Sequence, residues 1–322
     1  MIRSLLSTPA PTVAVELSST AVAAVAATPR GSGWIVSTHA TEPLPTGAVV
    51  PALNTRNVHD QAVAAVALQR VFQTLDVRPS RIALLVPDPV AKVSLIRFDH
   101  VPERADDLDQ LIRFHVRKSA PFRVEDAQMT YARGARLPEG GQEYVVALAR
   151  RDVITEYEAL SAAAGAHAGI VDLASFNVIN AVLASTPPGG DWLLVHIRPD
   201  YSSVAILRGG HLLFFRNRSG DGEGSLADLV HQTAMYYEDR LGGEGIERVI
   251  LTGAHSAARD AAGPSGINPE TLRRQLEERT RTQVDMLDPT RLMPLATRIV
   301  ASPELHDRIA PLIGVLSRAY AA

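Results

Sequence analysis

The stretch Thr12–Ala27, TVAVELSSTAVAAVAA, decides how the rest of the chain is read. Val13 and Val15 alternate with small residues up to Glu16, the period-two pattern of a strand. Ser18, Ser19 and Thr20 form a tight turn, and Val22 and Val25 open a second apolar run. A turn of hydroxyl residues between the first two strands of an α/β chain can cradle a phosphate through its backbone N–H groups. The same residues also suit a plain hairpin, so the turn by itself leaves both readings open.

Outward from that hairpin, a third strand is expected at 33–40, followed by a loop marked by Pro43, Pro45, Gly47 and Pro51. A helix is expected from Asn57 to about Leu75, with Val58, Ala62, Ala65, Val66, Phe72 and Leu75 on one face. RIALLVPDP and VAKVSLIRFD read as strands. RADDLDQLIRFHVRKS reads as a helix with acids in its first turn and cations in its last, as the helix dipole favours, and Pro121 stops it. Strands at 127–133 and 143–149 and a helix at 151–165 come next, and GIVDLASFNVINAVLAS starts as a strand and continues as a helix. TPPGG at 186–190 is the clearest internal boundary.

After that boundary the pattern recurs. Strands at 191–197, 202–208 and 211–217 follow one another, the last two joined by the hairpin pair Gly209 and Gly210. A helix over Leu226–Leu241 leads to the strand ERVILTGA and its Gly turn; a helix at 268–281, the short strand TQVDML and a helix at 304–320 close the chain. Each half therefore opens with three hairpin-linked strands, then a helix, then a further strand. Such a repeat of organisation points to an α/β protein with an actin-like (ribonuclease H-like) duplicated fold and an inserted α+β subdomain. The expected division is 1–190 for the first half, with the insertion at about 80–150, and 191–322 for the second half, with the last helix returning to the first.

Composition narrows the function. The 322 residues are 46% apolar but only 5% aromatic, so the core is built from Ala, Val and Leu. A net charge of −3 without a basic stripe argues against nucleic acid as a partner. The chain has no cysteine, which excludes disulfides, zinc–thiolate sites and thiol nucleophiles. The ten histidines are scattered without metal-ligand spacing, so no metal site is expected. The opening MIRSLLSTPAP does not read as a signal peptide, no apolar run is long enough to span a membrane, and a cytoplasmic protein is expected.

Six segments in order resemble the type IV pilus assembly protein PilM family, actin-like proteins related to the cell-division protein FtsA. They are MIRSLLSTPAPTVAVELSSTAVAAV, DLDQLIRFHVRKSAPFRVEDAQMTY, GIVDLASFNVINAV, WLLVHIRPDYSSVAILRGGHLLFFRN, VILTGA and APLIGVLSRAYA. The resemblance implies a scaffold that lies beneath the inner membrane, binds the cytoplasmic tail of a PilN-like membrane protein and helps couple pilus motor ATPases to the envelope. It also implies a nucleotide cleft, whose positions here are Glu16, Ser18, Ser19, Thr20, Gly253 and Ala254.

The residues at those positions depart from the family motif. Glu16 keeps a carboxylate where the family has Asp, Ser18 replaces a Gly, and Ala23 replaces the Lys. In the second turn His196 stands for Asp and Arg198 for Gly, followed by Pro199, which lacks an N–H. Magnesium prefers oxygen ligands, so His196 suits it poorly. A non-catalytic scaffold without ATP or Mg²⁺ is the expectation. The alternatives are an actin-like ATPase or nucleotide-gated switch with weak turnover, and the cytoplasmic L-type component of a type II secretion system.

Two further features stand out. In GDGEGS, Ser225 with Asp228 reads as a helix N-cap, and Asp106, Asp107 and Asp109 read as a solvated first turn. Phe114, Pro121, Phe122 and Tyr131 concentrate scarce aromatics in one helix–Pro–strand segment. They read either as a small core or as a groove for the partner's apolar peptide.

Overall fold

Two hairpins start two sheets. β1 (Val13–Leu17) pairs antiparallel with β2 (Ala21–Arg30), Leu17 opposite Val22, and β9 (Asp191–Ile197) pairs in the same way with β10 (Tyr201–Arg208). The computed structural model describes residues 10–137, 140–185, 189–220, 224–260 and 268–321. The leader through Pro9, residues 186–188 of TPPGG, 221–223 of GDGEGS and all of GPSG at 263–266 lie outside the described residues.

In the first sheet β3 (Gly33–Pro43), β4 (Arg81–Val86) and β8 (His167–Leu173) join the hairpin in the order β3-β2-β1-β4-β8. In the second, β11 (His211–Ser219), β12 (Arg248–Thr252) and β13 (Val284–Met286) give β11-β10-β9-β12-β13. Both sheets are antiparallel through their first three strands and parallel through the rest. The second sheet thus repeats the first.

Helix α1 (Gln61–Leu75) begins later than the sequence pattern suggests. Asp60 caps it by accepting from the Val63 N–H at 3.0 Å, while the N–H groups of Asn57 and Val58 are both held by Glu156 Oε2 at 2.8 Å. Val58 instead bridges to Val49. The buried stripe is consequently Ala64, Ala65, Leu68, Val71, Phe72 and Leu75, and Ala62 and Val66 face solvent.

The insertion starts after β4, near Asp88, because Arg81–Val86 is a central strand pairing with β1. It contains β5 (Ala91–Phe98), α2 (Ala105–Arg117), β6 (Ala127–Arg136) and β7 (Gln142–Arg150), with the three strands in the order β5-β7-β6. Leu108, Ile112 and Val116 of α2 pack on Tyr144, Val146 and Leu148 of β7. The chain then forms α3 (Arg151–Ala163), β8 and α4 (Ala174–Ser185).

In the second half, α5 (Leu226–Leu241) begins at Ser225, whose Oγ accepts from the Asp228 N–H, as the sequence pattern indicates. α6 (Ala254–Asp260) and α7 (Pro269–Thr280) complete that half. The last helix, α8 (Pro303–Ala321), returns to the first sheet, where Leu305, Ile309, Ile313 and Leu316 cover Ala14, Val25 and Leu85. Against the second sheet, α4 lays Val178, Ile179 and Val182 on Trp192 and Leu194. The helices α4 and α8 press together at Gly314, where an added Cβ would lie 1.8 Å from the Asn177 carbonyl oxygen. Among the described residues no helix is long and apolar enough to cross a membrane.

Candidate functional site

Strand alternation aims the polar residues. In β1 the odd positions Val13, Val15 and Leu17 face α1, so Ala14 and Glu16 point the other way, toward the second half. In β9, Leu193, Val195 and Ile197 face outward and Trp192 and Leu194 inward, which turns His196 and, just beyond the strand, Arg198 to the inner side. Tyr201 and Ser203 of β10 and Thr252 of β12 share that side by the same parity. The ends of both sheets' central strands therefore meet through polar side chains.

Glu16 and Arg198 form an ion pair between the halves. Arg198 Nη2 lies 2.6 Å from Glu16 Oε1 and 2.7 Å from Oε2, and the side chains are only 7% and 6% exposed. Burial pushes the Glu16 pKa upward, and the Arg198 charge and hydrogen bond draw it back. Burial also works against the Arg198 charge, but the Glu16 carboxylate overrides it and keeps the guanidinium protonated.

Beside this pair, the buried Asp88 carboxylate accepts from the Ser175 N–H at 3.1 Å, from Ser203 Oγ at 2.5 Å and from Ser175 Oγ. Ser175 Oγ also meets His196 Nδ1 at 2.7 Å. Burial, reinforced by the Arg198 charge, holds the His196 imidazole well below its ordinary pKa and therefore neutral. Asp88 thus fastens the start of the insertion to the first turn of α4 and to β10.

Two sets of backbone donors that could greet an anion are already occupied. Ser18 Oγ accepts from the Ala21 N–H at 3.0 Å and lies 3.4 Å from the Thr20 nitrogen. Asp307 of α8 accepts from the His255 N–H at 2.8 Å and the Ser256 N–H at 3.3 Å, in the first turn of α6. Gly253 has φ 87° and packs so closely on β9 that a Cβ would sit 2.0 Å from the Ile197 oxygen; Ala254 is fully buried. The void left among Glu16, Ser18, Thr20, Arg198, Ser256 and Arg308 measures about 20 Å³, room for about one water.

The sequence-derived cleft residues are therefore divided. Glu16, Ser18 and Thr20 border this small void; Ser19 and Thr20 also line a separate open cleft of about 750 Å³ with Lys92, Asp200, Phe215 and Asn217. Gly253 and Ala254 touch neither.

Nor do the four aromatic-segment residues share one pocket. Phe114 stands on α2 with 66% of its surface exposed, and Pro121 is exposed beyond the helix. Phe122 and Tyr131 are half-buried on the insertion's own core, Tyr131 edge-on to Tyr144 at 6.1 Å. Only Tyr131 also borders a groove of about 720 Å³ between the insertion and the first sheet. One wall of that groove is β8, residues 168–173, and facing it is β6; among the described residues both are edge strands with no further strand beside them. Val145 and Ala147 of β7, Ile154 and Thr155 of α3, and Phe176 of α4 also line it.

Sequence reasoning missed Asp88, Ser175, Ser203, Tyr201 and Asp307. Strand parity was a sufficient signal for Tyr201 and Ser203. The groove is assembled from stretches far apart in the sequence and has no local signature.

Two five-stranded sheets of identical order, facing each other across a polar cleft, define an actin-like protein. The family model described as type IV pilus assembly protein PilM matches residues 14–240, and the chain belongs to that family. Among solved structures, one reported as a PilM-PilN type IV pilus biogenesis complex aligns with a TM-score of 0.80 at 15% identity, covering 97% of this chain and 99% of that one. A Bacteroides thetaiotaomicron protein of actin-like ATPase fold (TM-score 0.48, 12% identity, 94% of each chain) is more distant. The cytoplasmic domain of EpsL, an inner-membrane component of the Vibrio cholerae type II secretion system, is equally so (TM-score 0.48, 11% identity, 96% and 94%). Neither of these two is close enough to argue from. No curated protein matches the sequence.

Proposed function

We propose that this protein is a scaffold of the type IV pilus assembly machinery that holds the cytoplasmic tail of a PilN-like inner-membrane protein, and does so without hydrolysing a nucleotide. The observation that carries the reading is a contrast between two places. In the cleft, Ser18, Arg198 and Asp307 of the chain itself stand where a ligand's contacts would fall. In the groove between β6 and β8, two strand edges and an apolar floor stand open. An extended segment suits such a slot, since strand edges supply main-chain hydrogen bonds and pockets between them take alternate side chains. Attachment to the inner membrane would then come through the tail.

The test is titration of a fluorescein-labelled synthetic peptide of the PilN-like tail from the same genome. Thr155, exposed on the groove wall, provides a block: Thr155→Trp should abolish binding and leave the melting temperature unchanged. A parallel melt with Mg-ATP should show no shift, whereas a ligand at a hundred times its Kd would stabilise by about 2.7 kcal/mol. Binding that survives Thr155→Trp would remove the groove from the proposal, and a clear Mg-ATP shift would remove its nucleotide independence.

A further inference from the structure

We infer that Glu158 sets the charge register of the groove: the segment that lies there carries a lysine or arginine opposite this residue. The inference rests on the reading of the groove as a tail-binding site. Arg151, Ile154, Thr155 and Glu158 all line the groove from α3, at the i, i+3, i+4, i+7 spacing of one helix face.

The other charged residues of the groove have partners within the protein. Asp172 takes Arg318 Nη1 at 3.1 Å and its own neighbour's N–H at Leu173, and Arg151 Nη2 donates to the Ala127 carbonyl at 3.1 Å. Glu158 has no hydrogen bond or ion pair among the described residues. It stands in water when the groove is empty. An occupant covering it must desolvate a carboxylate, which is unfavourable unless the occupant brings a cation. An apolar or acidic residue at that point is therefore selected against, and a basic one is selected for. The supply matches, because short cytoplasmic segments next to membrane spans are enriched in Lys and Arg. The spacing is definite too. Arg151 and Glu158 are two helical turns apart, about 10 Å, a distance that an extended segment covers in about three residues.

The experiment titrates the full chain with three forms of the tail peptide, in which the basic residue is kept as Arg or changed to Gln or to Glu. Wild type should prefer the Arg peptide over the Gln peptide by about fivefold, the upper range for a partly exposed ion pair. Glu158→Gln should lose that preference and bind the Arg peptide about fivefold more weakly than wild type, and Glu158→Arg should prefer the Glu peptide. The wild-type preference should shrink in high salt. If Glu158→Gln still separates the Arg and Gln peptides as wild type does, while Thr155→Trp abolishes binding, the charge register is overturned and the groove stands. If no peptide binds wild type, or if Thr155→Trp binds normally, the groove reading fails and takes this inference with it. All three variants are at the exposed positions Thr155 and Glu158, so matching melting curves confirm that folding is unchanged.

Discussion

Removing Arg198 tests whether the cleft is held by its own ion pair. In Arg198→Met the Glu16 carboxylate stays where it is, 7% exposed, without the guanidinium that contacts both of its oxygens. Breaking a buried pair at one partner costs about 3–5 kcal/mol, because a charge is left uncompensated. At an effective dielectric of about 20, the Coulomb attraction of charges about 4 Å apart is about 4 kcal/mol, consistent with that range. Glu16 has one escape, which is to take up a proton. Burial already raises its pKa in the folded protein, and loss of the cation raises it further. A carboxyl whose folded pKa exceeds its unfolded value loses stabilisation as pH rises through the folded pKa. Arg198→Met should accordingly be more damaging at pH 8 than at pH 5.

The assay is urea unfolding followed by circular dichroism, with wild type, Arg198→Met, Glu16→Met and the double variant compared at both pH values. A single transition with an unchanged m-value licenses the comparison. The double variant exchanges the pair for apolar side chains of similar length and should return to within about 1 kcal/mol of wild type; with each single variant costing about 3–5 kcal/mol, the coupling energy is about 5 kcal/mol or more. Additive single variants, or an Arg198→Met cost below about 1 kcal/mol, would refute the claim that this pair clamps the halves.

Two other perturbations have definite signs. His196 is held neutral in the fold with its pKa well below the ordinary value, so acid protonates the unfolded chain first and stability falls as pH drops below about 6.5. Between pH 7 and 5.5 this one group should account for about 1.3 kcal/mol, read as the difference between wild type and His196→Gln, which cancels the opposite trend of the buried Asp88 and Glu16. Equal pH slopes for the two proteins would remove the imidazole from the account. Gly314→Ala should destabilise by about 1–3 kcal/mol despite alanine's better helix propensity, because its methyl would sit 1.8 Å from the Asn177 oxygen; a stabilised variant would show that α4 and α8 can separate freely.

What was legible in the sequence was whatever local chemistry fixes. Hairpin turns at Ser18–Thr20 and Gly209–Gly210, the Ser225 cap and the alternation of Val13, Val15 and Leu17 are all local signals, and the repeat of the two halves follows from them. The start of α1 was not legible, because Glu156 reaches back across the sequence to hold Asn57 and Val58. The composition of the cleft was half legible. Its departures from the family motif at Ser18, His196 and Arg198 could be read directly. The side chains around them, Ser175 on His196, Asp88 on Ser175 and Asp307 on the first turn of α6, come from a short turn and the N-terminal parts of two helices whose approach only the packed fold determines. The aromatic segment, which the sequence left open between a small core and a groove, is divided by the fold: Phe122 and Tyr131 pack against the insertion's core, while Phe114 on α2 stays exposed.

The chemistry of the filled cleft explains why polar side chains fill it. Its positions are strand ends and a helix start, where backbone N–H groups at Thr20, Ala21, His255 and Ser256 point inward. An apolar side chain placed among them would leave those donors buried and unpaired, at about 1–3 kcal/mol each. A hydroxyl at Ser18 and a carboxylate at Asp307 satisfy them locally. Glu16, turned inward by the parity of β1, then requires a cation, and Arg198 supplies it from the facing turn. Asp88, Ser175, His196 and Ser203 are joined by hydrogen bonds, with the Glu16–Arg198 pair beside them. This group also crosses the molecule: Glu16 and Asp88 belong to the first half, and Arg198, His196 and Ser203 to the second. The Glu16–Arg198 pair and the Asp88–Ser203 bond link the two halves, and Asp88 stands at the start of the insertion.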